Sequence, residues 1–127
     1  MSAWRRRAIE AWPDDAAFIQ DPETTIYLLF FELLAWVQKA HDEGDEAQLH
    51  RIYGFAHWCL DTSSRDLQNA AAVAFFEHLV DKEPSRSAIP RWVQPRAFAD
   101  LKSLFESGMS PEAYVELCRV YKDRWGR

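Results

Sequence analysis

The sequence predicts an all-α protein of about six helices, the middle ones paired as antiparallel hairpins around a central apolar helix, in a bundle or a short α-solenoid. Three observations carry this reading. From Ile26 to Val37 only Glu32 interrupts the apolar residues, and a helix apolar nearly all round must be enclosed by other helices. Asp21-Pro22-Glu23 and Ser110-Pro111-Glu112 each combine a capping side chain, a proline for the first helical position and an acid for the positive helix end. His41-Asp42-Glu43-Gly44-Asp45-Glu46 reads as a tight turn, in which Gly44 stops one helix and Asp45 caps the next.

Taken in order, residues 4–11 form a first short helix with Trp4, Ala8 and Trp12 on one side. It is too short for a membrane-surface helix, despite Arg5, Arg6 and Arg7, and is expected to lay its tryptophans on the body as a frayed arm. Pro13 opens a further turn through Ile19. The central helix then runs from Asp21 to about Asp42, with Leu29, Phe30 and Leu33 fully buried. A third helix, Glu46 to Asp61, turns Leu49, Tyr53, Ala56 and Leu60 inward and shows a narrow polar line of His50, Gly54, His57 and Asp61. Glycine inside a helix costs about 1 kcal/mol relative to alanine, so Gly54 implies the close approach of a neighbouring helix or of a ligand.

The fourth helix, Arg65 to Asp81, carries a ridge of Leu67, Ala71 and Ala74 that lets a neighbour pack closely. The ridge ends in His78, read as buried and hydrogen-bonded. FFELL at residues 30–34 recurs as FFEHL at 75–79, a spacing in the range of paired-helix repeats; duplication and coincidence both produce it. Residues 82–96 read as the irregular segment, because Pro84, Pro90 and Pro95 oppose a continuous helix. Arg86, Arg91 and Arg96 around Trp92 have the composition of an interface hot spot. The alternative is that Trp92 and Val93 plug the bundle. Pro95 opens the fifth helix, with Phe98, Leu101, Leu104 and Phe105 inward and Gly108 as its stop. The sixth presents Tyr114, Leu117, Cys118, Tyr121 and Trp125 on one face. Lys122, Arg124 and Arg127 near its end complement the helix dipole.

Composition bounds the function. The 127 residues suit one helical domain, 1–127, with a net charge of −5. Residues 1–64 hold five Lys and Arg against eleven Asp and Glu, and 65–127 hold ten against nine. An acidic chain without a basic stripe speaks against nucleic acid as a partner. No apolar run follows the N-terminal arginines, so neither a signal peptide nor a membrane partner is expected. Cys59 and Cys118 lack metal or redox spacing and read as buried, reduced thiols of a cytoplasmic protein.

Catalytic and cofactor signatures are absent from the sequence. No phosphate-binding, dinucleotide-binding, zinc-protease or nucleophile-elbow motif occurs, and Glu77 and His78 are adjacent rather than spaced as in helical carboxylate metal sites. His57 and Asp61 stand at i and i+4, which suits a surface hydrogen bond. His50 lies about 10 Å from His57 along the helix, too far to share an ion. No metal and no cofactor are expected.

FFELLAWV, RIYGFAHWCL and NAAAVAFFEHL, within residues 28–80, resemble an uncharacterised family of short bacterial helical proteins. The size and hairpin layout are also similar to immunity proteins that neutralise bacterial toxins. Neither resemblance transfers a functional residue. The resulting expectation is a non-enzymatic cytoplasmic protein-binding module, an immunity-type inhibitor, with another protein as partner. Its contact is either an acidic face or the segment bearing Arg86, Arg91, Trp92 and Arg96. The alternative is a small-molecule-binding or enzymatic domain whose pocket lies along His50, Gly54, His57 and Asp61.

Overall fold

A computed structural model describes residues 1–126; Arg127, assigned above to the helix dipole, lies outside them. The described residues form nine α-helices and no strand: α1 (Ala3–Ala11), α2 (Ala16–Gln20), α3 (Ile26–Glu43), α4 (Glu46–Asp61), α5 (Arg65–Ala74), α6 (Ser85–Trp92), α7 (Pro95–Asp100), α8 (Lys102–Ser107) and α9 (Pro111–Trp125). The all-α class stands, with nine helices in place of about six. Helices α3, α4 and α5 each touch the other two, which makes the centre a three-helix bundle, while α6 packs on α9.

The α3–α4 hairpin follows its local chemistry. Gly44 takes a left-handed φ of 65°, and the Asp45 carboxylate accepts the Gln48 N–H. At the other end of α3 the capping differs from expectation. The Asp21 carboxylate accepts the Glu23 N–H in a local turn, and Thr25 caps the helix through the Leu28 N–H. Arg5 reinforces that turn by donating to the carbonyls of Ile19 and Asp21 at 2.6 and 2.9 Å.

Leu29, Phe30 and Leu33 are fully buried, each with 0% exposure. Phe30 meets Phe55 of α4 and Phe75 after α5, with ring centroids 5.6 and 5.8 Å apart. Helix α1 closes one side of this core and is no frayed arm. Trp12 is buried between Trp36 and Phe55 at 5.6 and 5.7 Å, and its indole N–H donates to Gln48. Enclosure of α3 is incomplete, contrary to its apolar sequence: Leu28 and Phe31 are 46% and 54% exposed.

Three further expectations give way to packing. The fourth helix stops at Ala74, and Phe76–Val80 continues as a 3₁₀ turn. That break lets the neighbouring Phe75 and Phe76 both reach the core, whereas in FFELL Phe30 is buried and Phe31 is exposed. The two segments therefore share letters and not conformation. His78 is partly exposed and paired with Asp81 at 2.7 Å, not buried. The proline-rich stretch is helical as α6, because Ser85 ties it down: its buried hydroxyl lies 2.7 Å from Leu79 O and accepts from Gln38 Nε2 at 2.6 Å. Leu101 interrupts the expected fifth helix, dividing it into α7 and α8. Cys59 is buried, and burial pushes its thiol up to about 12. Cys118 is only half-buried.

Candidate functional site

Members of the two candidate sets separated in the sequence meet in one groove. Helix α4 contributes His50, Tyr53, Gly54 and His57; the end of α6 adds Arg91 and Trp92; Gln94 and the end of α9, Arg124 and Trp125, complete a cleft of about 400 Å³. Helical spacing aligns the α4 residues along one face. Two hydrogen bonds hold the opposite wall in place: Tyr121 Oη donates to Val93 O at 2.6 Å and Trp125 Nε1 donates to Pro90 O at 2.8 Å.

Trp92 is the centre of the groove. Its indole stacks on Tyr53 at 5.2 Å with an interplanar angle of 17°, and the His50 ring meets it edge-on at 4.8 Å. It is half-buried, so it is neither the free anchor nor the full plug that the sequence left open. The Trp12 and Trp125 indoles have acceptors, and among the described residues no acceptor meets that of Trp92. Arg91 lies 5.3 Å over the Trp92 ring and pairs with Glu46 at 2.8 Å. Arg124 lies 5.9 Å from the Trp125 ring, and no carboxylate pairs with it among the described residues.

Other predicted members fall elsewhere. Arg86 pairs with Glu83 at 2.9 Å along another face of α6. Arg96 is exposed on α7, and Asp61 is exposed at the end of α4. Both lie outside this lining. A Cβ at Gly54 would meet nothing within 4 Å, so no neighbouring helix explains this glycine; it leaves the groove floor bare. Trp125 and Arg124 were missed as site residues because their spacing on α9 gave only an inward stripe and a dipole complement.

A domain family described as "Domain of unknown function (DUF7674)" matches residues 5–107. The chain belongs to that family. No curated protein and no solved structure matches the chain. In this DUF7674 member the matched residues take in α1 from Arg5 onward and all of α2 to α8, while Arg124 and Trp125 reach the groove from α9, beyond the match.

His57 is structural rather than reactive. It is only 7% exposed, contrary to the surface His57–Asp61 pair expected above. Its Nδ1–H donates to Tyr53 O at 2.8 Å, and its Nε2 accepts the Gln94 N–H at 3.2 Å. Both ring nitrogens are thus engaged in the neutral form, pinning the α6–α7 turn to α4. Burial lowers its pKa from the ordinary 6.5, outweighing the Tyr53 carbonyl and Asp61, which raise it. Burial likewise lowers that of His41, whose Nε2 lies 2.9 Å from the Tyr53 hydroxyl. Among the described residues no three His, Cys, Asp or Glu side chains assemble as metal ligands, and no helix is long and apolar enough to cross a membrane.

These histidines make stability fall with acidity. Below pH 6.5 the unfolded chain takes up protons that the folded chain still refuses, so stability is fully present above 6.5 and declines as the pH drops toward the lowered folded values. Each group contributes a slope of up to about 1.4 kcal/mol per pH unit in that window. Urea midpoints are expected to fall steadily from pH 7 to 5.5, with a shallower slope in His57→Gln. A flat profile would mean that neither ring is held neutral.

Proposed function

We propose that this chain is a non-enzymatic protein-binding module, acting in the cytoplasm as an immunity-type inhibitor, that takes an acidic segment of its partner into the Trp92 groove. The observation that supports this reading is the pairing of Arg91 and Arg124 with Trp92 and Trp125 in an open cleft of an otherwise acidic chain. Arginine and tryptophan are the residue types that dominate interface energies. Guanidinium groups recognise carboxylates through paired N–H donors, and stacked indoles offer rigid apolar area at little entropic cost.

Selection of displayed peptides on the purified chain tests this. Enrichment of Asp- and Glu-rich peptides is expected, with binding lowered at least about tenfold in Arg124→Glu, an effect of roughly 1.4 kcal/mol. A photo-crosslinking side chain at Gly54, where a Cβ has open space, should capture those peptides. Peptides without acidic bias, or insensitive to Arg124→Glu, would overturn the assignment. The small-molecule alternative has one observation in its favour: a cleft of about 400 Å³ lies within the usual range of ligand pockets. It is weakened as an enzyme reading by His57, whose nitrogens are already occupied.

A further inference from the structure

Helix α3 has an outer stripe that nothing among the described residues covers. Leu28, Phe31, Glu32, Ala35 and Lys39 are all exposed on it, and spacings of three and four residues place them along one side of the helix. Large exposed apolar side chains on a helix that is otherwise core mark an unpartnered face. Leu28 and Phe31 are exposed here, while Leu29, Phe30 and Leu33 of the same helix have no exposure. Glu32 and Lys39 have no ionic partner among the described residues, although Glu43 and Asp45 border Lys39 in a separate cleft with Asp15.

We propose that a second copy of this chain covers the stripe, with the two α3 helices crossing antiparallel at Ala35. The argument is charge complementarity with itself. Glu32 and Lys39 stand on either side of Ala35, seven residues apart, or about 10.5 Å along the axis. A two-fold axis through Ala35 brings Glu32 of each copy opposite Gln38 of the other, one residue or about 1.5 Å along the axis from Lys39, within reach of two ion pairs between these long side chains. A closed, isologous contact of this kind is the commonest way for identical chains to associate. Ala35 at the crossing keeps the helices close, since a small side chain permits a short interaxial distance.

The same axis gives Phe31 a destination. It stands at the height of Lys39 of the second copy, beside the cleft of about 510 Å³ that the second copy's own Phe31 lines with Leu34, Ala35, Gln38, His78, Asp81 and Lys82. Phe31 of each copy enters the cleft of the other. A parallel pairing would set Glu32 against Glu32 and Lys39 against Lys39, and like charges facing each other disfavour that register. The contact lies on α3 and leaves the Trp92 groove untouched, so it stands or falls separately from the partner proposed above.

Sedimentation velocity of the full chain at about 100 μM, well above a micromolar dissociation constant, reads the result. A species of twice 14.8 kDa is expected, converted to monomer by Phe31→Glu and by Lys39→Glu, with circular dichroism unchanged because both positions are exposed. Combining Glu32→Lys with Lys39→Glu restores the opposite charges and should restore the dimer. A monomeric wild-type chain, a dimer indifferent to Lys39→Glu, or a charge-swapped double variant that stays monomeric would each overturn the proposal.

Discussion

Phe30→Ala is expected to destabilise the fold by about 3–5 kcal/mol, whereas Phe31→Ala, one residue on, should change stability by no more than about 0.5 kcal/mol. Phe30 has no exposure and lies where α3, α4 and the end of α5 meet, with Phe55 and Phe75 on either side. Truncation removes the transfer free energy of the ring and leaves a cavity that three helices cannot collapse into together. Phe31 is 54% exposed and loses little in the isolated chain. Urea denaturation at a few micromolar, dilute enough to disfavour self-association, measures both. Equal effects at the two positions would mean that α3 is rotated, with Phe31 also turned into the core.

The same pair of residues shows what the sequence carries and what it does not. The buried face of α3 was legible from periodicity, as were the bounds of α4 from Gly44, Asp45 and the run up to Asp61. The exposed stripe was not, because apolar residues all round a helix carry no information on which side will find a neighbour within the same chain. Asp21-Pro22 failed as a helix start for a different reason. An aspartate that accepts a backbone N–H two residues on makes a turn as readily as a cap, and Arg5, sixteen positions away, decides the matter by taking the Asp21 carbonyl.

Pro90 inside α6 is a tertiary override. Its ring removes one N–H from the helix, but Ser85 anchors the first turn and Trp125 takes up the Pro90 carbonyl. Arg91 and Trp92 were legible as candidates by composition, and His50 and Gly54 by position on α4. That these sets face each other was not legible. The Tyr53–Trp92 stack joins positions thirty-nine residues apart, and no local spacing encodes such a contact.

Trp92→Ala is expected to lower stability by about 2.5–3.5 kcal/mol and peptide binding by at least about tenfold. The stability term follows from the half-buried indole: roughly 100 Å² of apolar surface at about 25 cal/mol/Å², with the stack on Tyr53 adding up to about 1 kcal/mol. For a chain of this length the melting temperature should drop by several degrees. The binding term follows from the exposed edge, whose indole N–H has no acceptor within the described residues and points to a use outside the fold. The two terms are separable. Trp92→Phe keeps a ring over Tyr53 and should recover most of the stability, yet it lacks the N–H and part of the contact area, so binding should recover less. The measurements are a thermal melt and a titration of the selected acidic peptide, run at a temperature where every variant is folded. If stability falls while binding stays at the wild-type level, Trp92 belongs to the scaffold alone, and the contact must rest on Trp125 and Arg124.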